Sequence, residues 1–324
     1  MKTNVKIISW LFFLTFIFST FSCSEKKNEI TIGYLPIIAH LPAMVAEHEK
    51  YFDDVVVNFK VYGSSNDLLN DLINNEINCA TTVAFSPLAN YYSTLDSTGN
   101  TEFPVKIFSY SKTSLKNPFD GVFVNESSGI DSLNDLEYKR IGLFPGTTAK
   151  NILSYLLENQ YNIEPSTIKW VYLPPSTQIE SLRSGDIDAL FTYETVRTIA
   201  ENNNFKKIHG SVIASVLNDA PYGCSAINTN FYKENKEVSK KVINALNKSI
   251  AYINDNPESS RIILQESLSL SDEIASSCNL EYRLTSSEIN KPENKNKVEE
   301  FLSILVKSGE LKNDFDIDNA LLVE

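Results

Sequence analysis

The chain has 324 residues, 42% of them hydrophobic and 22% charged, with a formal net charge of −12. That length accommodates two ordinary domains and a core of normal size. No cluster of Lys and Arg interleaved with aromatics offsets the acidic balance, so nucleic-acid binding has no electrostatic support.

The first element in chain order is an export signal. "MKTNVK" supplies a short basic region, residues 7–18 ("IISWLFFLTFIF") are almost unbroken apolar, and "STFSC" follows. A dozen apolar residues is short for a membrane-spanning helix and suits a signal peptide, expected over residues 1–22. Ser22 directly before Cys23 resembles a bacterial lipobox, in which the cysteine is lipidated and becomes the mature N-terminus; Thr20 stands where leucine is commonest. Residues 23–28 have the composition of a flexible tether. Acyl chains on Cys23 would hold the protein at the bacterial cell membrane, facing the periplasm or the exterior, each buried methylene adding about 0.8 kcal/mol.

From residue 29 onward the chain repeats itself. Residues 29–84, opening "EITIGYLP", lie beside residues 139–194, opening "KRIGLFPG", with one single-residue slip. Ile32-Gly33 falls on Ile141-Gly142, Pro36 on Pro145, Leu72 on Leu182 and Ile77 on Ile187. In the first copy residues 31–35 read as a strand, 41–51 as a helix with Pro42 in its first turn, 55–62 as a strand, 66–73 as a helix and 78–83 as a strand. Asn75, and Gly185 in the second copy, sit where helices stop in left-handed geometry. The partner of the last strand is residues 188–193. Strands alternating with helices imply parallel pairing and right-handed crossovers, hence two α/β lobes, each a sheet flanked by helices.

Two stretches join the lobes, residues 106–125 and 207–228, each with two short apolar runs around a polar break. They read as crossings out and back. The expected division is therefore residues 29–113 plus 219–324 for a discontinuous first lobe, and 114–218 for the second, with hinges at its ends. Residues 237–253 carry Val238, Val242, Ile243, Leu246 and Ile250 at helical spacing, Pro257 starts another helix, and residues 266–324 read as further short helices.

Ligands of open parallel sheets bind beyond the carboxyl ends of the strands, so the loops there form two facing mouths. The first lobe offers Pro36, Ile38 and His40, then Thr81, Thr82, Ala84 and Phe85; the second offers Gly146, Thr147 and Thr148, then Tyr193 and Glu194. Asp120 and Tyr222 lie at the crossings. Gly146 with Thr147 or Thr148 as helix cap would make an anion or carboxylate pocket, or simply an ordinary cap. His40 is open between ligand contact and a structural role. Tyr193, Tyr222 and Phe85 are open between sandwiching a flat ligand and packing the core. Glu194 and Asp120 are open between holding an amine and facing solvent.

No Gly-Lys-Ser/Thr phosphate loop, G-x-S-x-G elbow, dinucleotide glycine fingerprint or His-x-x-x-His spacing occurs, so no catalytic residue, metal ligand or cofactor is expected. Apart from Cys23, the cysteines are Cys79, Cys224 and Cys278, expected as buried, unreactive thiols. Spacing alone does not decide a Cys79–Cys224 bridge.

The lipobox-like start, "IGYLPIIAHLPAMVAEHEKYFDD", "SLNDLEYKRIGLFPGTTAKNILSYLL", "SLRSGDIDALFTYETVRTIA" and "VINALNKSIAYINDNPESSRIIL" together resemble the substrate-binding proteins of ABC importers, in the branch handling nitrate, sulfonates, taurine and thiamine-precursor pyrimidines. The resemblance covers nearly all of the chain after the tether. It implies a two-lobed, type II periplasmic-binding fold that closes like a hinge on a small molecule. It further implies a monomer without cofactor that docks on a permease driven by a separate ATPase subunit. Carried onto this chain, it puts residues 36–40, 81–84, 146–148 and Tyr193-Glu194 against the ligand. Thr195 stands where the family often has proline, and Asn75 and Asn78 stand for its Gly and Asp. Two other roles share these features: an enzyme of the same fold acting on a pyrimidine or aromatic acid, and a ligand-sensing surface lipoprotein without transport. The pyrimidine synthases of this fold carry a cysteine-rich motif absent here. The acidic mouth with aromatic neighbours favours a neutral or amine-bearing heterocycle over a sulfonate.

Overall fold

The computed structural model describes residues 28–99, 102–280 and 282–323; the expected signal segment, Cys23 and the tether up to residue 27 lie outside them. The alternation of strand and helix is present twice. In the first copy β1 (Glu29–Tyr34), α1 (Leu41–His48), β2 (Val56–Val61), α2 (Ser65–Ile73), β3 (Cys79–Ala84) and α3 (Phe85–Asp96) follow one another. After β4 (Val105–Thr113) and β5 (Asp120–Val124), the second copy runs β6 (Arg140–Leu143), α4 (Thr148–Tyr161), β7 (Lys169–Tyr172), α5 (Pro175–Ser184), β8 (Ala189–Tyr193) and α6 (Val196–Asn202). Then come β9 (Lys206–His209), α7 (Val212–Val216) and β10 (Ala220–Asn228). The chain closes with α8 (Thr229–Glu234), α9 (Lys236–Asp255), α10 (Pro257–Leu268), α11 (Asp272–Ser277), β11 (Tyr282–Leu284), α12 (Ser286–Ile289) and α13 (Pro292–Lys307).

The strands form two sheets, ordered β11-β4-β10-β3-β1-β2 and β7-β6-β8-β5-β9. Without the edge strand β11 the two orders are the same. In each, three parallel strands from one copy are followed by an antiparallel crossing strand, β10 in the first sheet and β5 in the second. The chain leaves the first sheet between Thr113 and Asp120 and returns between His209 and Ala220. The fold is thus the two-lobed α/β arrangement expected of the resemblance.

Matched residues do matched work in the two copies. A Cβ added to Gly33 would lie 2.3 Å from Ile77 Cδ1, and one added to Gly142 would lie 2.4 Å from Ile187 Cδ1. Each glycine lets a returning isoleucine pack flat on the first strand of its copy. Asn75 and Gly185 both adopt left-handed backbone, with φ of 59° and 78°. Asn78 clamps the start of β1, its Oδ1 accepting from Thr31 N at 2.9 Å while its own N donates to Thr31 O at 3.0 Å. Asp188 repeats the clamp on Arg140, at 2.7 and 2.8 Å. The crossing strands end alike too: Asn228 Nδ2 donates to Leu72 O at 2.9 Å, and Asn125 Nδ2 donates to Leu182 O at 2.6 Å.

The long helix α9 buries Val238, Val242, Ile243, Leu246 and Ile250, the face its spacing predicts. The C-terminal stretch differs from the expectation of short helices only. Tyr282–Leu284 adds an edge strand to β4, and α13 runs sixteen residues with Val298, Phe301, Leu302 and Leu305 buried. Its opening turns, "PENKNK", carry no apolar residue and mask the period. Cys79, Cys224 and Cys278 are free and buried, and burial pushes each thiol up to about 12. Among the described residues no helix is long and apolar enough to cross a membrane.

Candidate functional site

In the first mouth the chain turns inward immediately after β1. Pro36 is exposed, but Ile38 is fully buried and His40 is 4% exposed. The His40 ring stacks on Tyr34 (centroids 3.8 Å apart, 12° between planes) and meets the edge of Phe59. A 2.7 Å hydrogen bond links its Nδ1 to Thr81 Oγ1. Burial, with Arg283 nearby, lowers the His40 pKa to about 3, so the ring is neutral and structural at physiological pH. Thr82 is also engaged inside, its Oγ1 accepting from Leu35 N at 2.8 Å. Phe85 starts α3 with its ring against Phe301, 1% exposed and packed in the core. Ala84 remains half-buried at the rim.

Arg283 organises this mouth from β11. It is 3% exposed, and its guanidinium donates to Ser225 Oγ at 2.9 Å, Ala39 O at 3.2 Å and Thr81 O at 3.5 Å. One buried cation therefore ties the β1–α1 turn to β3 and β10.

The second mouth is more open. Gly146 has φ of +133° and lies exposed, with nothing within 4 Å of where a Cβ would stand. Neither Thr147 nor Thr148 caps α4 through its side chain. Their hydroxyls donate instead to Glu310 Oε1, at 2.9 and 3.4 Å, and Asn151 Nδ2 donates to Glu310 Oε2. Glu194 likewise turns inward, 3% exposed. It accepts from Arg197 Nη1 at 2.9 Å and Thr198 Oγ1 at 2.8 Å, and from Asn279 N at 3.4 Å. Burial raises its pKa against the pull of Thr198 and Arg197. This carboxylate is spent on Arg197, and a ligand amine would have to compete for it.

The crossings bring the remaining candidates together. Phe119 stacks on Tyr222 (centroids 4.2 Å, 21°) and on Tyr193 (5.7 Å, 24°). Phe119 and Tyr222 hold the same place, each six residues before the asparagine that ends its crossing strand. Tyr193 and Tyr222 stay half-buried and pack against the cluster that contains Ile38, Leu41 and Phe119. Asp120 pairs with Tyr193 across β5 and β8 and is fully buried. Its Oδ2 accepts from Ile213 N at 3.0 Å, while its Oδ1 has no hydrogen-bond partner among the described residues. Burial lifts the Asp120 pKa to about 6. The junction of the lobes thus holds three rings in a row beside a fully buried carboxyl that Ile213, Ser211 and Val212 face.

Of the residues read from sequence, Ile38, Asp120, Tyr193 and Tyr222 converge on this junction. Pro36, Ala84 and Gly146 rim the mouths, His40, Thr81, Thr82 and Phe85 are engaged among first-sheet elements, and Glu194, Thr147 and Thr148 bond across to Asn279 and Glu310. Phe119, Asn151, Asn279, Arg283 and Glu310 were missed. Phe119 was findable from its match to Tyr222; Asn151 lies in the second copy but matches no polar residue in the first, and the other three come from the C-terminal stretch, which has no repeat to flag them.

Two sheets of matched order, two crossings and loops that meet at their junction define a periplasmic-binding-protein fold. Residues 38–260 match the NMT1/THI5-like family, and the chain belongs to that family. No curated protein matches. Among solved structures, the periplasmic aliphatic sulphonate binding protein SsuA from Escherichia coli is 14% identical with a TM-score of 0.71, over 91% of this chain and 92% of that one. A ligand-binding component of an ABC-type import system from Staphylococcus aureus is 18% identical with a TM-score of 0.69, over 91% and 96%. The periplasmic nitrate-binding protein NrtA from Synechocystis PCC 6803 is 14% identical with a TM-score of 0.67, over 91% and 84%. At these identities the likeness is one of fold.

Proposed function

We propose that this chain is an extracytoplasmic solute-binding protein, without catalytic activity or cofactor, that captures a small flat organic molecule and delivers it to an ABC-type permease with a separate ATPase subunit. Residues 29–113 with 219–324 form one lobe and residues 114–218 the other, and the ligand is held between them. The observation that carries this reading is the ring row Tyr193–Phe119–Tyr222 at the junction of the lobes, its outer rings half-buried and its middle ring buried, beside the buried Asp120 carboxyl. A planar ligand gains dispersion and quadrupole contacts from such rings, and an N–H or O–H on it would satisfy the carboxyl. A neutral or amine-bearing heterocycle fits both demands. Contacts from both lobes stabilise the closed state, the form a permease recognises by shape. The named functions of the similar structures, sulphonate binding and nitrate binding, support transport as the setting and not the same cargo.

A thermal-shift panel of pyrimidines, aromatic amines, aromatic acids, alkanesulfonates and nitrate tests it. A heterocycle at a hundred times its Kd adds about 2.7 kcal/mol of apparent stability, and Phe119→Ala removes that gain. Hits confined to anions and indifferent to Phe119 would sink the reading. The protein works at the membrane through lipid on Cys23, so Cys23→Ala moves it from the membrane fraction to the soluble one; unchanged membrane retention would refute the anchor.

A further inference from the structure

The turn after β6 and the first turn of α4 are already occupied by a carboxylate of the same chain. Glu310 accepts from Thr147 Oγ1, Thr148 Oγ1 and Asn151 Nδ2 and is 8% exposed. Among the described residues no Lys, Arg or His forms an ion pair with it. Its donors lie about 160 residues away in sequence, at the N-cap and the first turn of α4, where the aligned peptide dipoles favour a negative charge.

The two ends of this contact come from elements built on different sheets. Glu310 follows α13, and its N donates to Leu305 O at 2.9 Å. Leu311 and Phe315 after it are buried in the core that holds Phe301 and Leu305, and Asn313 O accepts from Ser93 Oγ of α3. The carboxylate is therefore fixed to the lobe built on the first sheet. On the other side, α4 packs on α7, which lies against β5 of the second sheet, and its buried Ala149, Ile152, Leu153, Leu156 and Leu157 meet the same continuous apolar core. A hinge opening at the crossings has to pull Glu310 away from α4.

We propose that Glu310 is an internal latch: its carboxylate takes the place of an anion at the start of α4 and holds the two lobes together before any ligand arrives. Resting on the two-lobed binding reading, this gives the hinge a defined contact to break for entry and release. It also explains why the exposed Gly146 turn keeps its two threonines off helix capping. Water cannot replace the tie at no cost, because the nearly buried carboxylate would give up three side-chain donors in charge-assisted hydrogen bonds.

Spin labels on the exposed residues Glu158 of α4 and Glu299 of α13 report the separation of the lobes in the ligand-free protein. Glu310→Ala is expected to raise the long-distance population on the order of tenfold, as losing a charge-assisted contact would. Asn151→Ala gives a smaller rise from the opposite lobe, and the double variant opens no further than Glu310→Ala alone, since both changes cut the same tie. Should Glu310→Ala fail to fold, Glu310→Gln and Asn151→Ala carry the comparison. An unchanged distance distribution in folded Glu310 and Asn151 variants overturns the latch. A wild-type protein that binds nothing in the thermal panel would overturn the binding reading while these distances still answered the other question.

Discussion

After the first strand of the first copy, the chain folds its polar groups inward: His40 lies on Tyr34, bonds to Thr81 and sits beside the buried Arg283. After the first strand of the second copy, the matching turn stays exposed at Gly146, and its hydroxyls reach across to Glu310. The frames behind these turns are alike down to the glycine–isoleucine contact and the asparagine that ends each crossing strand. The interior of a repeat is constrained by packing that both copies need. The mouths are free to diverge, and here one turned its polar groups inward while the other bonds across to the C-terminal segment.

The largest expected effect separates the mouths by pH. His40 is held near 3 against an ordinary 6.5, so the stability gained by keeping it neutral is present above pH 6.5 and lost as pH falls toward 3, at up to about 1.4 kcal/mol per pH unit. Asp120, lifted from 3.8 to about 6 by burial, runs the other way. Its contribution is present below pH 3.8 and lost as pH rises through 6. Urea unfolding from pH 4 to 7 separates them: His40→Phe flattens the acid-side loss, and Asp120→Asn removes the loss on the rising side. Curves of variant and parent that stay parallel would show that neither group titrates as its burial implies.

A smaller effect sharpens the likeness of the frames. Gly33→Ala and Gly142→Ala each push a methyl into an isoleucine Cδ1, at 2.3 and 2.4 Å, and overpacking of this kind costs about 1–3 kcal/mol. Ile77→Val and Ile187→Val remove the opposing carbon and are expected to recover part of the loss in the matching background. Similar losses and rescues in calorimetric melting support a shared packing rule; a loss in one copy alone breaks the equivalence.

The frame was legible because its signals are local and repeat. Ile32-Gly33 and Ile141-Gly142, Leu72 and Leu182, and Ile77 and Ile187 sit at the same spacing and each packs within its own copy. The direction of the mouth residues was not. His40, Phe85 and Glu194 look alike in sequence to residues that face a cleft, and their inward turn depends on Thr81, Phe301 and Arg197, which only the fold brings near. Arg283 and Glu310 come from the C-terminal stretch, where β11 is three residues long and the polar start of α13 hides its period. Yet that stretch supplies the cation behind one mouth and the carboxylate at the other.

The sealed thiols carry a consequence for how such a protein matures. Cys79, Cys224 and Cys278 are enclosed and burial pushes each thiol well above its ordinary value, so none is a ready nucleophile for disulfide exchange. The three described cysteines therefore give the folded body no disulfide whose formation it depends on, so its stability is expected to be the same with and without a reductant.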